Sequence, residues 1–316
     1  MTEVVAGIDI GGTNTAIGII DKNGAVLAQT EIKTTDYPKV EEFVIALGKC
    51  IIQQVEGKFD LKGVGIGAPN GNYNKGTIEL APNLEWKGIV PLANMVQKQL
   101  GIRVALTNDA NAAALGEMMF GGAQGMKNFI ILTLGTGLGS GIVVNGDVVY
   151  GHSGFAGEYG HVTMVPDGRD CGCGRQGCLE TYVSATGIVR TVQWLLSEMN
   201  DPSVLRNINA SEMTSWQIAE AALEEDKVAL AAFDFTAEML ARAIVNAVVV
   251  TSPEAIFLFG GLSKAGDLLL KPVKAYVDEY IQPIFKGTVS VLLSGIQENN
   301  AAVLGSAALA WKEILK

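Results

Sequence analysis

Basic side chains are scarce in this 316-residue chain: 23 Lys and Arg stand against 33 Asp and Glu, a net charge of −10. They are also scattered, and a chain with no Lys/Arg cluster lacks the main source of affinity for a phosphate backbone. Nucleic acid is therefore not an expected partner. Long apolar runs are missing too. The most apolar helical stretch, Ala243 to Val250, is short and interrupted by Asn246, so no membrane span is expected. The start, Met1-Thr2-Glu3-Val4-Val5, carries an early acid and no basic segment before its apolar run, unlike a secretory signal. A cytoplasmic location is the expectation. No G-x-x-x-x-G-K-[ST] occurs, which excludes a P-loop protein. With 48% hydrophobic residues the chain still has material for a core large enough to serve two domains.

Cysteine and histidine are rare, four and two, yet three cysteines and one histidine fall within "GEYGHVTMVPDGRDCGCGRQGCLE", residues 157–180. A reducing cytosol disfavours a structural disulfide there. Three readings stay open. Cys171, Cys173 and Cys178 could be small core residues, but the segment is hydrophilic and Gly-rich and offers them little core. They could be redox-active, but the spacing is C-x-C-x4-C and no C-x-x-C is present. Or they bind zinc with His161 as fourth ligand, a closed Cys3His set around which the glycines let a short loop wrap. The last is favoured. Cys50, in a helix of apolar spacing, is expected to be an ordinary buried thiol.

The order along the chain is α/β. "VVAGIDIGGTNTAIGIIDKNGAVLAQTEI" reads as strand, Gly-rich turn, strand, Asn23-Gly24 turn, strand, and "FIILTLGTGLGSGIVVNGDVVYG" repeats the unit with its turn at Asn145-Gly146. "AIFLFGGLS" gives a third strand-to-glycine element after an apolar helical stretch from about Ala229 to Val250. Helices are expected over Val40 to Glu56 and Asn299 to Leu315, and "RVALTNDANAAALGEMMFG" is a strand running into an Ala-rich helix. The repeat sets a boundary near residue 120, giving a small domain of residues 1–119 plus 301–316 and a large one of 120–300. Residues 197–216 read as a loop with helical pieces and no evident chemistry.

In "DIGGTNT" the glycines of Gly11 and Gly12 let backbone approach a polyphosphate, Thr13 offers a hydroxyl, and Asp9 could hold a metal ion through water. "LGTGLGSG", residues 134–141, repeats the device with Gly135, Thr136, Gly137 and Gly139. Gly260 and Gly261 of "FGG" could lie flat against a nucleotide base. In "TNDAN", residues 107–111, Asn108 or Asp109 serves as a helix N-cap, or the Asp is a carboxylate poised to accept a proton from a substrate hydroxyl.

Taken in order, "DIGGT", "APN" with "LEW" at Ala81 to Trp86, "NDAN", "LGTGLGSG", "GEYGH", "CGCGRQGCLE" and "FGG" closely resemble the ROK (repressor, open reading frame, kinase) family. That family is a branch of the actin-like ATPase superfamily, with a ribonuclease H-like fold of two domains built from duplicated β-hairpin/α units around a cleft. The resemblance runs from Ala6 to about Leu309. It implies an ATP-dependent sugar kinase acting on the 6-hydroxyl of a hexose, with Mg and a structural zinc. Asp109 matches the general base, and Asn83, Asn108, Glu158, His161 and Glu180 match residues that hold sugar hydroxyls. His161, Cys171, Cys173 and Cys178 match the zinc ligands. Glucose is the expected acceptor, with N-acetylhexosamines or fructose as alternatives, and the assembly a homodimer or homotetramer. Many relatives carry a lysine after "DIGGT", where this chain has Asn14. The family's sugar-responsive repressors place a helix-turn-helix domain before the first phosphate turn, and here Asp9 is only the ninth residue, so the repressor reading is disfavoured.

Overall fold

The first glycine turn and the Asn23-Gly24 hairpin join three antiparallel strands, β1 (Thr2–Ile10), β2 (Asn14–Asp21) and β3 (Val26–Lys33). β1 is buried over most of its length because it lies inside the sheet, whereas β3 alternates buried and exposed residues at the edge. Helix α1 (Val40–Val55) crosses over to β4 (Phe59–Gly67), which runs parallel to β1. A minor sheet of β5 (Gly71–Asn72), β6 (Thr77–Glu79) and β7 (Ile89–Val90) follows, then α2 (Leu92–Leu100), β8 (Val104–Thr107) and α3 (Asp109–Phe120). The main sheet has the order β3-β2-β1-β4-β8. This computed structural model describes residues 1–296 and 298–315, the side chains of 298–300 excepted.

The second half repeats the first. β9 (Phe129–Leu134), β10 (Leu138–Val144) and β11 (Asp147–Val148) form an antiparallel meander. Helices α4 (Ala185–Glu198), α5 (Ser215–Leu223) and α6 (Lys227–Thr251) lead to β12 (Ala255–Phe259), and α7 (Asp267–Tyr280) to β13 (Ser290–Leu293), both parallel to β9. The order β11-β10-β9-β12-β13 copies the first sheet strand for strand and direction for direction.

The last helix, α8 (Glu298–Ile314), returns to the first sheet. It sits so close to β1 that a Cβ on Gly7 would lie 2.0 Å from the Val303 carbonyl oxygen, an approach only glycine permits. α3 packs on α8 and on β9 and β10, so these two helices fill the space between the sheets, around Leu115, Phe129, Phe257 and Leu309.

The duplicated hairpins and the helices near 40–56 and 229–250 lie where the sequence expects them. Residues 197–216 hold one 3-10 turn, Val204–Asn207, before α5 opens on a capping box between Thr214 and Gln217. Cys50 departs from expectation. It is half-buried because it sits beside, and not on, the α1 stripe of Leu47 and Ile51 that faces the core. Among the described residues no helix is long and apolar enough to cross a membrane.

Candidate active site

The junction of β8 and α3 decides between the two readings of "TNDAN". Asn108 has extended backbone and is the cap, its Oδ1 accepting from the Asn111 N–H at 2.7 Å. Asp109 is thereby the first helical residue, its Oδ1 accepting from the Ala110 N–H at 2.8 Å. Its carboxyl lies on a cleft of about 520 Å³ lined by both halves of the chain. Water reaches it from the cleft, yet it sits deep among protein atoms. Loss of hydration pushes its pKa up, against the pull of the backbone N–H groups of Ala110 and its own residue.

The other five sugar candidates line the same cleft. Asn83 and Asn108 come from the first half, and Glu158, His161 and Glu180 from the loop after β11. Glu158 stands at the head of a 3-10 turn, Tyr159–His161. Burial raises its pKa, the His161 ring opposes this, and the charges of Asp109 and Glu180 add to it. Glu180 Oε2 accepts from the Leu138 N–H at 2.9 Å, so the carboxylate is tied to the second glycine turn. A Cβ at Gly137 would lie 2.3 Å from that oxygen and would displace it.

The remaining candidates divide. Gly135, Thr136, Gly137, Gly139 and Gly260 line the cleft. Asp9 lies on an adjoining cavity of about 190 Å³ that also touches Asp109, Thr133 and Phe259. Burial first, and the charge of Asp109 second, raise the Asp9 pKa to about 6. Among the described residues no basic side chain lines that cavity, so these two carboxylates lie together uncompensated, a donor set suited to a hard divalent cation such as Mg. Gly11, Gly12 and Thr13 form the β1–β2 turn and do not line the cleft, although Gly12 lies against the Asn83 carbonyl. Gly261 faces a separate, more apolar cavity of about 480 Å³ with Trp216, Leu223 and Lys264.

Residues 161–180 fold into a short ribbon held by bridges between Thr163 and Cys178 and between Asp170 and Gln176. It brings one ligand atom each from His161, Cys171, Cys173 and Cys178 within 4.8 Å of one another. Cys173 and Cys178 are 3.7 Å apart at sulfur, and Cys171 Sγ is 3.6 Å from His161 Nδ1. Tetrahedral zinc with Zn–S bonds of about 2.3 Å needs edges of about 3.8 Å, so the set fits the ion. All four cysteines of the chain are free thiols.

Sequence reasoning missed Asn70, which lines the cleft, and the cavity beside Gly261. Exposed Trp216 and Leu223 were the available signal for the latter, since both lie off the buried face of α5.

Two copies of one five-stranded unit facing a glycine-lined acidic cleft define the actin-like ATPase fold. The chain belongs to the ROK family, whose model matches residues 5–313. It is 36% identical over 306 residues to a glucokinase of Halalkalibacterium halodurans, covering 95% of this chain and 92% of that protein. A ROK family glucokinase from Streptomyces griseus, solved in complex with glucose and AMPPNP, matches with a TM-score of 0.80 at 33% identity, over 98% of this chain and 99% of that one. A ROK family transcriptional regulator, a homologue of the E. coli MLC protein, matches with a TM-score of 0.88 at 26% identity, over all of this chain and 79% of that one.

Proposed function

We propose that the protein is an ATP-dependent hexose kinase that transfers the γ-phosphoryl group to the 6-hydroxyl of its acceptor, with glucose preferred. The observation that carries this is the position of Asp109: a carboxyl at a helix N-terminus, on a cleft whose walls also bear the polar residues Asn83, Asn108, Glu158, His161 and Glu180. The glucokinase relatives, one of them bound to glucose and an ATP analogue, support the same reading. The 6-oxygen attacks the γ-phosphorus, the bond to the β-phosphate oxygen breaks, and the hydroxyl proton passes to Asp109 late in the transfer. A raised pKa makes Asp109 a stronger acceptor than an ordinary carboxylate.

Asn83, Asn108, Glu158, His161 and Glu180 would orient the ring, and the glycine turns at residues 9–13 and 134–141 would receive the phosphates with backbone N–H groups. Asp9 would hold Mg, which neutralises phosphate charge when bound. Zinc on His161, Cys171, Cys173 and Cys178 would be structural, with no open position. Because Nδ1 of His161 faces Cys171, that ion would leave Nε2 protonated and free to donate to a sugar oxygen. The cavity beside Gly261 would take the nucleotide base, with Trp216 as an aromatic wall. Lobes of residues 1–119 plus 301–316 and of 120–300, closing on the sugar, belong to the same proposal, as do a cytoplasmic location and a homodimeric or homotetrameric assembly.

Comparison of kcat/KM for glucose, N-acetylglucosamine, N-acetylmannosamine, allose and fructose at saturating Mg-ATP tests the reading. Glucose is expected to lead. A tenfold preference for another sugar overturns the acceptor and leaves the kinase standing, whereas phosphorylation of none overturns both.

A further inference from the structure

Asn70 follows Ala68 and Pro69 just beyond β4 and lines the cleft near Asn83 and Asn108. Its φ of 51° places it in the left-handed region, which asparagine tolerates better than most residues. The turn that carries it is anchored on β8, the strand that leads into Asp109, since the Ala68 N–H donates to the Thr107 carbonyl at 3.0 Å. Its side chain reaches the other way. Asn70 Nδ2 donates to the carbonyls of Glu79 at 3.0 Å and Leu80 at 3.3 Å, and the Glu79 N–H donates back to the Asn70 carbonyl at 3.2 Å. Because both side-chain partners are carbonyl oxygens, only the NH2 end of the amide can face them, which fixes its orientation. Nδ2 is then engaged, and the one side-chain group left on this residue of the cleft lining is Oδ1, an acceptor with no donor function.

We propose that Asn70 is a sugar-contacting specificity residue: Oδ1 accepts a hydrogen bond from one ring hydroxyl of the hexose while Nδ2 pins residues 79–80, and with them the segment bearing Asn83. An acceptor-only group selects a hydroxyl and rejects a position that can offer no hydrogen. The hydroxyl is not the reacting one, which faces Asp109. The proposal rests on the hexose-kinase reading given above.

The test measures kcat/KM for glucose, 1,5-anhydroglucitol and 2-, 3- and 4-deoxyglucose with the wild type, Asn70→Gly and Asn70→Asp. Glycine tolerates the positive φ, and a melting curve checks the fold; Asn70→Ser replaces it should it not fold. The wild type should disfavour one of these analogues by about tenfold or more. In Asn70→Gly that ratio should collapse towards one, well beyond the smaller changes in the other ratios that release of residues 79–80 brings, while the KM for ATP stays put. Asn70→Asp, whose carboxylate cannot donate to the Glu79 and Leu80 carbonyls and is repelled by them, should lose the preference too, since no acceptor is then held in place. A uniform loss over all five sugars, or no loss, overturns the contact. A wild type inactive on every hexose overturns the kinase reading instead.

Discussion

Asp109 and Asp9 share one cavity wall and respond to removal in opposite ways. Asp109→Ala should lower kcat by about 10²- to 10⁴-fold, because a proton acceptor acts chiefly in the transition state. Glucose binding, followed by calorimetry, should persist; a near-normal kcat would leave Asp109 as a helix residue with no part in proton transfer. Its raised pKa also shifts the acid limb of kcat/KM, which should begin above the ordinary Asp range near pH 4 and be absent from residual activity in the mutant. Asp9 binds its proton more tightly in the folded chain, about 6 against an ordinary 3.8, so its ionisation opposes folding above that range. Asp9→Asn should therefore raise stability at pH 8 by up to about 3 kcal/mol. The gain should shrink as pH falls through about 6 and nearly vanish near pH 4. Thermal melts of protein freed of nucleotide and metal at these pH values check the sign, and a mutant less stable at pH 8 would contradict it. Both acids were legible because each sits in a short motif at a strand end. Asn70 was not, because its meaning depends on carbonyls nine and ten residues away.

At the scale of elements, the ribbon of residues 161–180 couples the cysteine cluster to the cleft wall that bears His161 and Glu180. Arg175 donates to the His161 carbonyl and to Thr163 Oγ1, and Glu180 links the cluster to β10 through Leu138. About one zinc per chain is expected by elemental analysis of purified protein. Cys173→Ser, at an exposed ligand position that leaves the core intact, should lose the metal and increase amide exchange across the ribbon. It should raise the KM for glucose more than it lowers kcat, since His161 and Glu180 lose their mooring while Asp109 stays on α3. Metal-free wild type with an ordered ribbon would refute this. The ribbon was readable because four ligand-type residues are dense in a chain that has few of them. Helix α5 was opaque for the opposite reason: the use of Trp216 depends on Gly261, far along the chain, which completes its cavity.

For the molecule as a whole, the duplication was visible in the sequence since each sheet announces itself by a glycine turn followed by an Asn-Gly hairpin. What joins the sheets was not. The chain passes between them after α3 and again after β13, and one side chain holds both passages. Glu117, fully buried near the end of α3, accepts from the Gly122 N–H at 2.7 Å, the Gly295 N–H at 2.8 Å and the Ser294 hydroxyl at 2.5 Å. Nothing local marks it, for a glutamate in a helix ordinarily points to water, and two of its donors come from residues 177 and 178 positions away. Glu117→Ala would strand three donors in a dry site and should cost about 3 kcal/mol or more, read as a lower urea midpoint. Glu117→Gln keeps one carbonyl oxygen for the two N–H groups and presents an NH2 to Ser294, whose hydroxyl can turn to accept. It should retain most of the stability, and with it the helix on which Asp109 is mounted. Equal losses in the two variants would mean that the charge, and not the hydrogen-bond geometry, secures the junction; no loss in either would mean that packing of α3 on α8 suffices without it.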